Sequence, residues 1–178
     1  MIRNACPSDI HTMLEIYRPY VERSTCTFEY TLPTPAEFAA RFAGITARFP
    51  WFVWEEDGVV LGYAYASAPW ERAAYRWCAE VSIYLARGQQ RKGIGSAMYA
   101  ALEDALKAQG YQVVYAVITS ENTASLAFHT ALGYRELAVF PNCGFKFGRW
   151  LSVTWMEKRL FPPTVPEGFP LPYRELLR

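Results

Sequence analysis

The sequence predicts an α/β domain of the α+β kind, with a mixed, mostly antiparallel sheet of about seven strands flanked by about four helices. Three observations carry this expectation. Strand-like apolar runs recur at 2–5, 51–55, 59–66, 77–85, 112–118, 134–140 and 150–160. Helical patterns separate them in the order βααβββαβαββ. A basic glycine loop, Gln89-Gln90-Arg91-Lys92-Gly93-Ile94-Gly95-Ser96, joins the fourth strand to the third helix.

Each element has a local reason. After the first strand, Pro7 with Ser8 and Asp9 opens a helix that carries Ile10, Met13, Leu14, Tyr17 and Val21. Residues 24–30 are polar and aromatic without helical period. Thr34-Pro35-Ala36-Glu37 is a capping box with proline at the first helical position, and the helix it opens is expected to run to Arg48. Glu56-Asp57-Gly58 marks a hairpin between the second and third strands. Residues 69–76 are expected to form a loop or a short helical turn. Ile94, Ala97, Met98, Ala101, Leu102 and Ala105 share one helix face, and Gly110 stops that helix. A fourth helix runs from Asn122 to Leu132, with Gly133 as its stop. Residues 141–148 are expected to be the loop joining the last two strands. The domain is placed at 1–160, and the proline-rich tail from 161 to 178, with five prolines, is expected to drape over it.

Composition excludes several classes. The 178 residues suit one domain, and a net charge of +1 gives no reason to expect nucleic acid or an acidic membrane as partner. No apolar run approaches the ~20 residues of a membrane span. Cys6, Cys26, Cys78 and Cys143 lie far apart, with only His11 and His129 to join them, so no metal site is expected. The N-terminus has no signal-peptide pattern, and a cytoplasmic protein with reduced thiols is expected.

The glycine loop points to an anion. The first amides of a helix lack intrahelical partners, and the macrodipole places partial positive charge there. Gly93 and Gly95 carry no Cβ to keep a phosphate from the backbone, while Arg91 and Lys92 add formal charge. The plain alternative is a helix start whose basic residues face water. Gly88 to Gly93 has Walker spacing, but Ile94 stands where that loop needs lysine. A dinucleotide fingerprint would need a third glycine and an acidic residue after the next strand, and neither is present.

Alternation in the fourth strand sends Cys78, Glu80, Ser82 and Tyr84 to one face and Ala79, Val81, Ile83 and Leu85 to the other. A half-buried Glu80 would have a raised pKa and suit a general base; equally, it could be a structural carboxylate paired with Arg72 or Arg76. His129, on the fourth helix, is open to a structural or a catalytic reading.

The loop, the pattern Asn122-x-x-Ser125-x-x-x-His129-x-x-x-Gly133-Tyr134, and the element order resemble the GNAT superfamily of acetyl-CoA-dependent N-acetyltransferases. Phe49-Pro50-Trp51, Ala64-Tyr65-Ala66, Pro69-Trp70, Ala79-Glu80, Gly144-Phe145-Lys146 and Gly148-Arg149-Trp150 are similar to the phosphinothricin and methionine sulfoximine acetyltransferases within it. The likeness covers about residues 1–160. It implies transfer of acetyl from acetyl-CoA to the α-amine of a small amino-acid-like acceptor in a ternary complex. Ile83, Tyr84 and Leu85 would bind the carrier's arm through their backbone, and amides near Leu85 would polarise the thioester. Residues Arg91, Lys92, Gly93, Ile94, Gly95 and Ser96 would hold the pyrophosphate, with Asn122 further along. Glu80 would be the base, and His129 or Tyr134 a source of the second proton. Phe28, Glu29, Arg72, Tyr75 and Arg76, with 145–150, would meet the acceptor. Glu71 and Arg76 depart from the resembled pattern, which leaves the acceptor open. A homodimer is expected from the resemblance. The rival readings are a non-catalytic acyl-CoA sensor and an acetyltransferase for protein amines.

Overall fold

The computed structural model describes residues 1–177. Its elements are β1 (Ile2–Asn4), α1 (Ile10–Arg23), α2 (Pro35–Thr46), β2 (Trp51–Glu56), β3 (Val59–Ser67), β4 (Cys78–Leu85), α3 (Ile94–Gln109), β5 (Val113–Thr119), α4 (Thr123–Ala131), β6 (Arg135–Lys146) and β7 (Arg149–Arg159). The seven strands form one sheet in the order β1-β2-β3-β4-β5-β7-β6. Neighbours run antiparallel except β4 and β5, which are parallel.

Local chemistry explains the boundaries. Pro7–Asp9 is a 3-10 turn rather than the first α turn, and α1 follows it. Pro19 lies inside α1 on its exposed side, so the backbone bond that proline cannot make is left to solvent. Thr34 and Glu37 form the reciprocal capping box of α2. Asp57 and Gly58 both take positive φ, as a two-residue turn matched to strand twist requires.

Two layers cover opposite faces of the sheet. Met13, Tyr17 and Val21 of α1, with Phe38 and Phe42 of α2, pack on Trp51, Val53 and Tyr63. On the other face Met98, Leu102 and Leu106 of α3 bury Ala64, Ala79, Val81, Val114 and Ala116. With Ala79 and Val81 under α3, strand alternation turns Glu80 to the opposite face.

The segment 141–148 departs from expectation. It is not a loop but a continuation of β6, pairing Gly144 with Leu151 and Lys146 with Arg149 across an irregularity after Phe140. Asn142 takes positive φ there. The break in apolar alternation at Pro141-Asn142-Cys143-Gly144 is a bulge, and Phe147-Gly148 alone makes the turn. The tail is tied by specific bonds: Trp77 donates to Gly168 O, and Gln109 Nε2 donates to Leu171 O.

Candidate active site

The site begins where β4 and β5 part. Their parallel register runs only from Cys78↔Val113 to Glu80↔Tyr115. Beyond that pair an open cleft of about 100 Å³ lies between the strands, walled by Ser82, Ile83, Ile118, Thr119, Asn122 and Ser125 among others. Pairing with β3 continues to Gly62↔Leu85 and Ala86 N–H donates to Leu61 O. In an antiparallel ladder alternate residues turn their polar backbone to opposite sides. Ile83 and Leu85 thus face the cleft, whereas Tyr84 spends its backbone on β3. Its ring joins Tyr17, Tyr20 and Tyr63. Of the three residues expected to bind the carrier's arm, two are oriented to do so. Leu85 is engaged already: the Tyr20 hydroxyl bonds both its carbonyl and its N–H.

At the lower end of the cleft stands the α3 N-terminus. Gly93 caps it at φ 82 with no side-chain bond, leaving the amides of Ile94, Gly95 and Ser96 for an outside acceptor. Open space surrounds the missing Cβ of Gly93. Gly95 differs from its expected role. A Cβ there would meet the Phe128 ring at 3.1 Å, so this glycine makes room for α4 rather than for a ligand. Arg91 holds φ 62, and the exposed Lys92 donates to Gln89 at 2.9 Å, which shapes the loop from within.

Glu80 occupies the last paired position before the split. Burial pushes its carboxyl above the usual range, with no partner offsetting it. Among the described residues no ion pair joins it to Arg72 or Arg76, the structural role that the strand alone left open. Its register neighbour Tyr115 lies beside Trp155, and Trp70 stacks on Trp155 at 5.5 Å. That stack lays the 69–76 loop over this face and brings Tyr75 against Trp70. Arg72 is exposed. Arg76 is turned towards the tail, its guanidinium 4.8 Å from the Phe169 ring centre.

His129 is 3% exposed and lines the cleft's floor. Its Nδ1 lies 2.8 Å from Ser125 O, so Nδ1 carries the proton; Nε2 then accepts from the Tyr99 hydroxyl at 3.0 Å. Burial lowers its pKa, so the ring is neutral at pH 7. Neither nitrogen presents a free proton to the cleft. Tyr134 is also enclosed, donating to Glu103 at 3.1 Å. Asn122 caps α4 by accepting from Ser125 N–H at 3.2 Å, and its amide donates to Cys26 Sγ at 3.2 Å.

On the acceptor side Glu29 pairs with Arg41 at 2.6 Å, and its second oxygen is buried without a partner. Phe28 lies against Gly144, where any Cβ would strike its ring. Sequence reasoning missed Tyr20, Arg41 and Tyr99. Tyr20 had a signal, since it shares a helix face with Tyr17. Lys146 fell within the 145–150 segment expected on the acceptor side, but its burial and its bonds to the 24–27 carbonyls had no local signal.

Among the described residues no cluster of three or more potential metal ligands occurs, and no helix is long and apolar enough to cross a membrane.

A model of the GNAT acetyltransferase domain matches residues 2–155. The chain is 37% identical over 166 residues to a phosphinothricin N-acetyltransferase of Streptomyces viridochromogenes, covering 93% of this chain and 90% of the relative. It is 34% identical over 169 residues to the L-methionine sulfoximine/L-methionine sulfone acetyltransferase of Salmonella typhimurium, covering 94% and 98%. A GNAT superfamily phosphinothricin acetyltransferase from Sinorhizobium meliloti, solved in complex with acetyl-CoA, superposes with a TM-score of 0.88 at 40% identity, over 95% and 94% of the two chains. With a split sheet, an uncapped glycine helix start and relatives matched along nearly their whole length, the chain belongs to the GNAT family of acetyltransferases.

Proposed function

We propose that the protein transfers acetyl from acetyl-CoA to the α-amine of a small amino-acid-like substrate of the phosphinothricin or methionine sulfoximine/sulfone type, with both reactants bound together. The observation that carries this reading is Glu80, a desolvated carboxylate without a cationic partner, at the pair where β4 and β5 separate. Acetyl-CoA supplies the activated acetyl group as its thioester. An amine at neutral pH is mostly ammonium, and Glu80 takes its proton directly or through one water. The freed nitrogen attacks the thioester carbonyl, and the new C–N bond forms as the C–S bond breaks. CoA leaves as its thiolate, which takes up a proton from solvent. The raised pKa strengthens Glu80 as a base. The unpaired amides of Ile94, Gly95 and Ser96, beside Arg91 and Lys92, receive the pyrophosphate. Backbone groups of Ile83 align the arm, and the Leu85 amide, once the Tyr20 hydroxyl has been displaced from it, polarises the thioester carbonyl. His129 orients Tyr99 rather than giving up its own proton. Tyr75, Phe28 and Glu29 lie on the acceptor side in this reading.

A homodimer through β6 fits the same reading. This edge strand exposes Leu137, Val139 and Phe140, and the adjoining hairpin tip exposes Phe145, Phe147 and Trp150. Light scattering of the purified chain, then of Val139→Lys, tests it. The four cysteines carry no disulfide, which suits the cytoplasm.

The deciding assay follows CoA thiol release with phosphinothricin, methionine sulfoximine, methionine sulfone and a panel of amines, repeated with Glu80→Gln. Release with one amino-acid acceptor, lost in the variant, supports the proposal. Tight acetyl-CoA binding without release for any of them overturns it.

A further inference from the structure

The buried cation Lys146 takes part in none of these steps. It is 1% exposed, at the end of β6 beside the hairpin turn. Its ammonium donates to two main-chain carbonyls of a distant segment, Ser24 O at 2.9 Å and Thr27 O at 2.7 Å. Burial alone pulls its pKa below that of an ordinary lysine. A buried charge is costly unless well bonded, so what it holds needs an explanation.

It holds the exit of α1. Ser24 is the extended C-cap residue of that helix, and carbonyls leaving a helix C-terminus carry partial negative charge that a cation stabilises. The segment it caps carries Cys26 on the cleft wall, Thr27 bonded to Tyr17 at 2.7 Å, and then Phe28 and Glu29. The same hairpin grips this segment at further points. Gly144 admits the Phe28 ring, Tyr30 donates to Phe145 O, and Arg149 binds Glu121, which accepts from Thr25 at 2.6 Å. Hairpin and loop are one unit, and Lys146 is its enclosed centre.

We propose that Lys146 is a positioning residue for the acceptor amine: through Ser24 O and Thr27 O it sets the 24–29 turn, which puts Cys26 on the cleft wall and carries Phe28 and Glu29 of the acceptor side. The inference rests on the proposed function for its acceptor and not for its geometry. Lys146→Met keeps the length and removes the charge. The acceptor KM is expected to rise about 10-fold or more while kcat changes less than about 3-fold and the acetyl-CoA dissociation constant less than about 2-fold, a split that general destabilisation does not produce. Amide hydrogen exchange over 24–29 is expected to quicken about 10-fold relative to the β2–β3 hairpin. Should Lys146→Met fail to fold, Gly144→Ala displaces Phe28 from the other side and is expected to raise the same KM selectively. An unchanged acceptor KM in the folded variant overturns the proposal, as does a KM rise without faster exchange at 24–29. No CoA release by the wild type with any amine refutes the proposed function instead, and the exchange rates then decide the clamp by themselves.

Discussion

The Tyr20 hydroxyl donates to the Leu85 carbonyl at 2.7 Å and accepts the Leu85 N–H at 3.2 Å. One side chain of α1 thus satisfies a backbone pair on the open edge of β4, where β5 has turned away. An amide arm extending along that edge meets Ile83 free and Leu85 occupied.

Tyr20→Phe is therefore expected to tighten acetyl-CoA. The arm no longer displaces a hydroxyl bound to Leu85, an advantage of about 0.5–1.5 kcal/mol for one net hydrogen bond. Calorimetric titration should show the dissociation constant falling by about 2- to 10-fold. A weaker complex in the variant would mean that Tyr20 binds the carrier rather than competing with it.

Glu80→Gln is expected to lower kcat/KM by about 10²- to 10⁴-fold, the usual range for a general base, with acetyl-CoA binding unchanged. Stability should move the opposite way. The folded pKa of Glu80 is raised, so the folded state favours the protonated form. Its stabilising contribution is complete below the unfolded pKa and is lost as pH rises through the folded value. At pH 7 the variant should consequently melt higher than the wild type, and the gap should close in acid. Equal melting temperatures at pH 7 would count against a desolvated Glu80.

His129 supplies a contrast in sign. Burial depresses its pKa below 6.5, so its contribution to stability is complete above that value and declines as pH falls through the folded pKa. His129→Ala should cost about 2–4 kcal/mol, from a cavity and an unpaired Tyr99 hydroxyl, and its stability should depend less on pH below 6.5. The wild-type rate should show no alkaline limb from loss of an imidazolium proton near neutrality.

Gly95 and Gly93 should respond differently to alanine. Gly95→Ala drives a Cβ to 3.1 Å from Phe128 and should destabilise by about 1–3 kcal/mol. Adding Phe128→Leu should recover most of that loss and restore acetyl-CoA affinity. Gly93→Ala meets no neighbour but is strained at φ 82 by about 1–2 kcal/mol, which no change at Phe128 can relieve. Thermal melts of the four variants separate packing from backbone strain.

Much of the fold was legible because its signals are local. Period 2 placed seven strands, period 3.6 placed four helices, and Thr34, Asp57-Gly58 and Gly110 marked boundaries where the structure has them. The expectation failed at 141–148, where a bulge interrupts alternation without ending the strand. Glu80 was legible as sharing a strand face with Cys78, Ser82 and Tyr84, since alternation groups residues by face; which face α3 covers was not. Whether Arg72 or Arg76 would neutralise it was not, because the 69–76 loop takes its position from Trp70 against Trp155, 85 residues later.

By itself, then, the sequence determined the order of elements, the glycine helix start, and the strand face that carries a carboxylate. These follow from backbone sterics and side-chain periodicity within a few residues of chain. Tertiary structure alone decided that β4 and β5 separate after Glu80, that Tyr20 closes on Leu85, that His129 is enclosed and neutral, and that Lys146 caps a helix ended 123 residues earlier. Each depends on desolvation and hydrogen bonding between segments far apart in sequence, and no local pattern records which buried group will meet which.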